Sequence, residues 1–142
     1  MDGMPDEDRI TLSRQACHTI LEQAMRSPEV EVCGLIGATS DRFNVYPVEN
    51  ISPTPQHRFD MEPRQLITAM RHIRERGERL YAIYHSHPRG PAHPSATDIA
   101  EANYPNAACL IVSLNTRGVL QISAFALSAH DYKPLQLDLI DA

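Results

Sequence analysis

The 142-residue sequence has no run of eighteen apolar residues, no internal repeat and no low-complexity tract. A helix spanning a membrane is therefore not expected, and neither is a solenoid or a fibre. Cysteine is scarce. Cys17, Cys33 and Cys109 are odd in number and lack C-x-x-C spacing, which excludes a disulfide framework and paired zinc knuckles. Basic charge is in deficit, with 13 Lys and Arg against 18 Asp and Glu, a net charge of −5. The chain shows no basic stripe of the kind that grips nucleic acid, and no polybasic membrane anchor. Residues 1–9 are acidic and polar, with no apolar core behind a positive start. No signal peptide is expected, and a reducing cytoplasmic compartment is the expectation.

What remains is ordinary globular material, 42% hydrophobic and 22% charged. The length suits one domain, expected over residues 10–142 behind a flexible tail at 1–9. Ser13 is a plausible N-cap for a helix over 14–26, whose apolar stripe is Ala16, Cys17, Ile20, Leu21, Ala24 and Met25. Val30 to Gly37 reads as a buried strand, with 41–47 returning as its hairpin partner. A polar, Pro-rich loop fills 50–58. Pro63 fits the first turn of a second helix, striped by Leu66, Ile67, Met70 and Ile73 and stopped by Gly77. Leu80 to His87 is a strand ended by Pro88. A short helix is expected over 96–103, strands over 108–114, 119–126 and 135–140, and a hairpin turn over 115–118. Helices mixed with hairpins imply an α/β or α+β sandwich around one mixed sheet.

The chemistry concentrates in His85-Ser86-His87-Pro88 and, after seven residues intervening from His87, Ser95-x-x-Asp98. Alternation along a strand points His85 and His87 to one side. The intervening loop is long enough to fold back, and Asp98, one turn into a helix, can bring a carboxylate to the same point. Two imidazoles and a carboxylate suit a zinc site with an open fourth position. Each fragment also has a plainer reading. H-x-H occurs at strand ends for unrelated reasons, and Ser95-x-x-Asp98 is a helix-capping pair. A hydrolytic site needs a base as well. Glu31, leading an apolar strand, must face something polar, unless it is a solvated charge like Glu29.

The segment YHSHPRGPAHPSATD, with the upstream EVCGLIG, resembles the JAMM (MPN+) metalloprotease family. The likeness runs through the first helix, the E-x-C-G-L strand, the Asn50 region, the second helix and the following strands. It implies a three-layer α/β/α sandwich around a mixed, largely antiparallel sheet, similar to the cytidine deaminase fold. It implies one zinc ion per chain held by His85, His87 and Asp98, with Glu31 as general acid/base and Ser95 on the oxyanion. The compact form is most similar to prokaryotic members that act on ubiquitin-like sulfur-carrier proteins, so an amide bond at such a carrier's C-terminal glycine is the implied substrate. A monomer or weak homodimer is expected. The alternatives are an MPN module that docks protein without hydrolysis, and a zinc peptidase for cell-wall or other small peptides. A zinc deaminase would need H-x-E and P-C-x-x-C, and neither is present.

Other residues are assigned plainer roles. His93 is expected on an exposed loop. His57 and Arg58 are expected on an exposed loop too, with a substrate groove as the alternative, and His18 and His72 on solvated helix rims. His130 has no argued role. Cys33 lies close enough to Glu31 in sequence to approach a metal, but a buried free thiol is the commoner case. Cys17 and Cys109 read as core. Arg71, Arg74, Arg76 and Arg79 form a local basic cluster. It would suit an acidic carrier, although a solvated helix face is the default.

Overall fold

The computed structural model describes residues 8–100, 104, 106–114, 120–128 and 131–141. Its strands are β1 (Arg9–Ser13), β2 (Cys33–Ala38), β3 (Phe43–Val48), β4 (Arg79–His87), β5 (Ala108–Ser113), β6 (Gln121–Ser128) and β7 (Asp131–Ile140). Its helices are α1 (Arg14–Arg26), α2 (Pro63–Glu75) and α3 (Ala96–Ala100). The strands form one sheet in the order β1-β7-β6-β5-β4-β2-β3. β1·β7 and β4·β5 are parallel, and the other neighbouring pairs are antiparallel. The mixed, largely antiparallel sheet expected from the sequence is therefore present.

The helices form where local chemistry favours them. Ser13 accepts a hydrogen bond from Ala16 N at 3.1 Å and caps α1. Ala16, Cys17, Ile20 and Ala24 then bury against Ile36, Tyr84, Leu110 and Val112 on one face of the sheet. Glu62 caps α2 through Gln65 N and Arg64 N, with Pro63 at the first turn. Gly77, at φ 68°, follows its end in the left-handed conformation. Ala69 and Ile73 of α2 pack on Leu35 and Tyr46 on the opposite face. That makes three layers. Gly34 permits the centre of the sheet to close, because a Cβ there would strike the Tyr84 hydroxyl and the Tyr46 carbonyl oxygen.

Several expectations need correction. Arg9 is not tail but the first residue of β1, whose ladder runs from Arg9↔Gln136 to Ser13↔Ile140. Glu31 and Val32 precede β2, which begins at Cys33. Met25 and Ile67 are 56% and 60% exposed, so the buried stripes of α1 and α2 are narrower than the periodicity suggested. β7 begins four residues earlier than expected. Residues 1–7, the end of the third helix and the 115–118 turn lie outside the described residues. Among the described residues no helix is long and apolar enough to cross a membrane.

Candidate metal centre and active-site groove

Alternation along β4 sends Ala82, Tyr84 and Ser86 toward α1, and Ile83, His85 and His87 toward the α2 face. Both imidazoles are buried at the C-terminal end of the strand. Beyond Pro88 the chain folds back. Ser113, opposite His87 on β5, donates through Oγ to Gly90 O at 2.8 Å. His87 Nδ1 donates to Pro91 O, also at 2.8 Å. That bond leaves the Nε2 lone pair of a neutral His87 pointing inward.

The loop ends in a reciprocal cap on α3. Asp98 N donates to Ser95 Oγ at 3.0 Å, and Ser95 N donates to Asp98 Oδ2 at 2.9 Å. The same Oδ2 lies 3.1 Å from His85 Nε2 and 3.1 Å from His87 Nε2, and the two nitrogens are 3.1 Å apart. Three electron-pair donors thus converge on one point, which is unfavourable unless a cation or shared protons lie among them. Zinc bonds of about 2.0–2.1 Å in tetrahedral geometry separate neighbouring ligand atoms by about 3.3 Å. The triangle fits that ion. Burial alone would raise the Asp98 pKa, but hydrogen bonds with His85 and His87 outweigh it and hold the carboxylate well below its usual range. Burial pushes His85 below the ordinary imidazole value against the pull of Asp98. For His87 burial acts the same way, yet Asp98, Pro91 and Glu31 together shift it upward.

Glu31 completes the cluster from the other side. It is 4% exposed, and its Oε1 has no hydrogen-bond partner among the described residues. Ligand atoms of Glu31, His85 and His87 all lie within 4.8 Å of one another, a looser set than the 3.1 Å triangle. Burial, opposed by His87 and reinforced by Asp98, pushes the Glu31 pKa up to about 7. Its backbone is held by bonds outside any strand. Glu31 N donates to Pro55 O at 2.7 Å, and Asn50 Nδ2 donates to Glu31 O at 2.9 Å. Next to it, Val32 N donates to Ser86 Oγ at 2.9 Å, and Ser86 N donates to Val32 O at 3.0 Å.

A groove of about 250 Å³ leads to His85 and Asp98. Its floor is Ile83, Cys109 and Leu127, and one wall is the segment from Arg58 to Met61. Phe59 stacks on His85, with ring centroids 4.6 Å apart. Arg58 lines the groove, the alternative to the favoured exposed loop, while His57 and His93 are exposed as expected. Cys33 is fully buried, and its thiol donates to Val48 O at 3.3 Å. Burial, with Glu31 and Asp60 adding to it, pushes that thiol up to about 12, so it stays protonated. His130 lies outside the described residues. Phe59, Ser86 and the amide of Asn50 escaped the sequence reading. Only their partners, distant in sequence, make them part of the site.

The family model described as prokaryotic homologues of the JAB domain matches residues 13–126. The chain belongs to this family. A desampylase of Haloferax volcanii is 33% identical over 116 residues, covering 77% of this chain and 84% of that protein. A probable TtuB-protein conjugate cleaving protease of Thermus thermophilus is 38% identical over 80 residues, 56% of this chain and 54% of that protein. A Desulfitobacterium hafniense protein solved in solution superposes with a TM-score of 0.81 at 31% identity, covering 93% of each chain. A JAB1/MPN domain protein from Archaeoglobus fulgidus gives 0.58 at 16% identity, covering 95% of this chain and all of that one, a likeness of fold alone. Both named relatives are hydrolases by name, and in this chain His85 and Asp98 line the groove, with His87 beside them.

Proposed function

We propose that this JAB-domain protein is a zinc-dependent peptidase. It would hydrolyse the amide bond at the C-terminal glycine of a ubiquitin-like sulfur-carrier protein, whether that bond holds a conjugate or a terminal addition. The observation that carries the reading is the 3.1 Å triangle of His85, His87 and Asp98 beside the buried Glu31. The names of the two relatives support the substrate class.

His85, His87 and Asp98 would hold the ion. Zinc there supplies Lewis acidity, lowering the pKa of water to about 7 and polarising a carbonyl. The looser spacing of Glu31 suits a group one water away from the ion. Burial keeps its proton affinity near neutrality, where a carboxylate can both take and return a proton. Glu31 would accept the proton of the attacking water and deliver it to the departing amine. Ser95 Oγ already accepts from Asp98 N, so its own O–H remains free to donate to the developing oxyanion. The groove would hold the carrier's extended C-terminal residues against Ile83 and the Arg58–Met61 wall.

The test is intact-mass analysis of carrier proteins bearing C-terminal additions or isopeptide-linked partners. Each is incubated with zinc-loaded protein, chelated protein and the Glu31→Gln variant. Mass loss confined to the zinc-loaded wild type is expected. Loss of equal extent in the Glu31→Gln sample would remove the base, and a chain that binds no zinc would remove the centre.

A further inference from the structure

We infer that Asn50 is a positioning residue that ties the backbone of Glu31 to the groove wall and so aims its carboxylate, a role that rests on the peptidase reading above. An asparagine amide offers two donors and two acceptor sites, and here all four are used. Nδ2 donates to Glu31 O at 2.9 Å and to Arg58 O at 3.0 Å. Oδ1 accepts from Ser52 N at 3.0 Å and Asp60 N at 3.0 Å. The first bond reaches the backbone of the proposed base. The second and fourth reach the wall that a substrate would touch.

No sheet ladder holds Glu31, which lies before β2. Both of its backbone polar groups are satisfied by the 50–61 loop, its N–H by Pro55 O and its carbonyl by Asn50. The loop is closed at its base by the Asn50↔Met61 bridge and by Ile51 N donating to Asp60 O at 2.8 Å. Between these ends stand Arg58 and Phe59, the latter stacked on His85. One amide therefore sets the register between three things: the base, the wall and the stacked histidine. No other residue type fits the position. Aspartate accepts but cannot donate, and glutamine is one methylene too long for the same four partners.

Asn50→Asp keeps the size and the two bonds accepted from Ser52 and Asp60, and it sets a carboxylate oxygen against the carbonyls of Glu31 and Arg58. Two measurements on the zinc-loaded protein test the inference. The first needs no substrate. Amide hydrogen exchange at Glu31 and Val32 is expected to quicken about tenfold, the scale of one lost hydrogen bond, with β5 amides unchanged. Unchanged exchange at Glu31 would overturn the tie, whether or not a substrate is known. The second is kinetic. The kcat of Asn50→Asp is expected to fall about a hundredfold, the scale of a misplaced reacting group, with one zinc still bound per chain. In a Glu31→Gln background the same substitution is expected to cost nothing further. A further loss there would show that Asn50 acts independently of Glu31 and would overturn the assignment. A wild type inactive on every carrier would instead remove the peptidase reading, with exchange still deciding the tie.

Discussion

Replacing Glu31 by Gln is expected to make the metal-free protein more stable above neutral pH. The carboxylate is 4% exposed, one oxygen lacks a partner, and its pKa rises from 4.5 to about 7, chiefly through burial. The folded protein thus holds the proton more tightly than the unfolded chain. Between pH 4.5 and about 7 the native state binds more protons, so its stability falls as pH rises through that window and stays lower above it. At about 1.4 kcal/mol for each tenfold change in proton affinity, the ceiling is about 3 kcal/mol. Relaxation and water penetration around a buried charge bring the expected figure to about 2 kcal/mol. Glutamine has no such pH dependence. Urea unfolding of chelated wild type and variant is the assay. The variant is expected to gain about 2 kcal/mol at pH 8 and only a small part of that at pH 5. A variant no more stable than wild type at pH 8, or an equal gain at both pH values, would refute the reasoning. The expected result would mark the proposed base as a group kept at a cost to stability.

Three further outcomes are expected. Asp98→Asn leaves a neutral, weaker ligand beside His85 and His87, so zinc content after dialysis should fall well below one per chain, read by atomic absorption. Ser95→Ala removes the cap accepted from Asp98 N, costing about 1 kcal/mol of stability. It should also lower kcat about a hundredfold through the lost oxyanion donor, and steady-state kinetics with unfolding curves separate the two effects. Gly34→Ala drives a methyl into Tyr84 and Tyr46 O and should cost about 1–3 kcal/mol. An unchanged urea midpoint would show that the sheet relaxes there.

Local signals explain which parts of the molecule could be read from sequence. The helix after Ser13 and the histidine pair before Pro88 both follow from short-range rules, a cap and an alternation. β1 escaped because five residues give no period, and its parallel partner β7 lies over a hundred residues away. β7 starts at Asp131, ahead of the apolar alternation that begins at Leu135 and marks the strand in the sequence. Pro134 nonetheless stands inside the strand, paired with Phe125 of β6, while the described ladder to β1 begins at Gln136. The convergence of His85, His87 and Asp98 was visible as spacing. The support around it was not. Ser86 reaches Val32 across fifty-four residues, and Asn50 binds a loop with no periodicity at all.

Helix α3 buries none of its five residues. It therefore lacks the apolar face that stabilises most short helices. What fixes it is Asp98, whose one oxygen both receives the Ser95 N–H and meets the two imidazoles. The turn that presents Ser95 and the proposed metal centre therefore share one oxygen atom, and a cation held there would add its bond to the two that already close the turn. Metal supply would then be felt first in this corner, as a tighter or looser turn above an unchanged sheet.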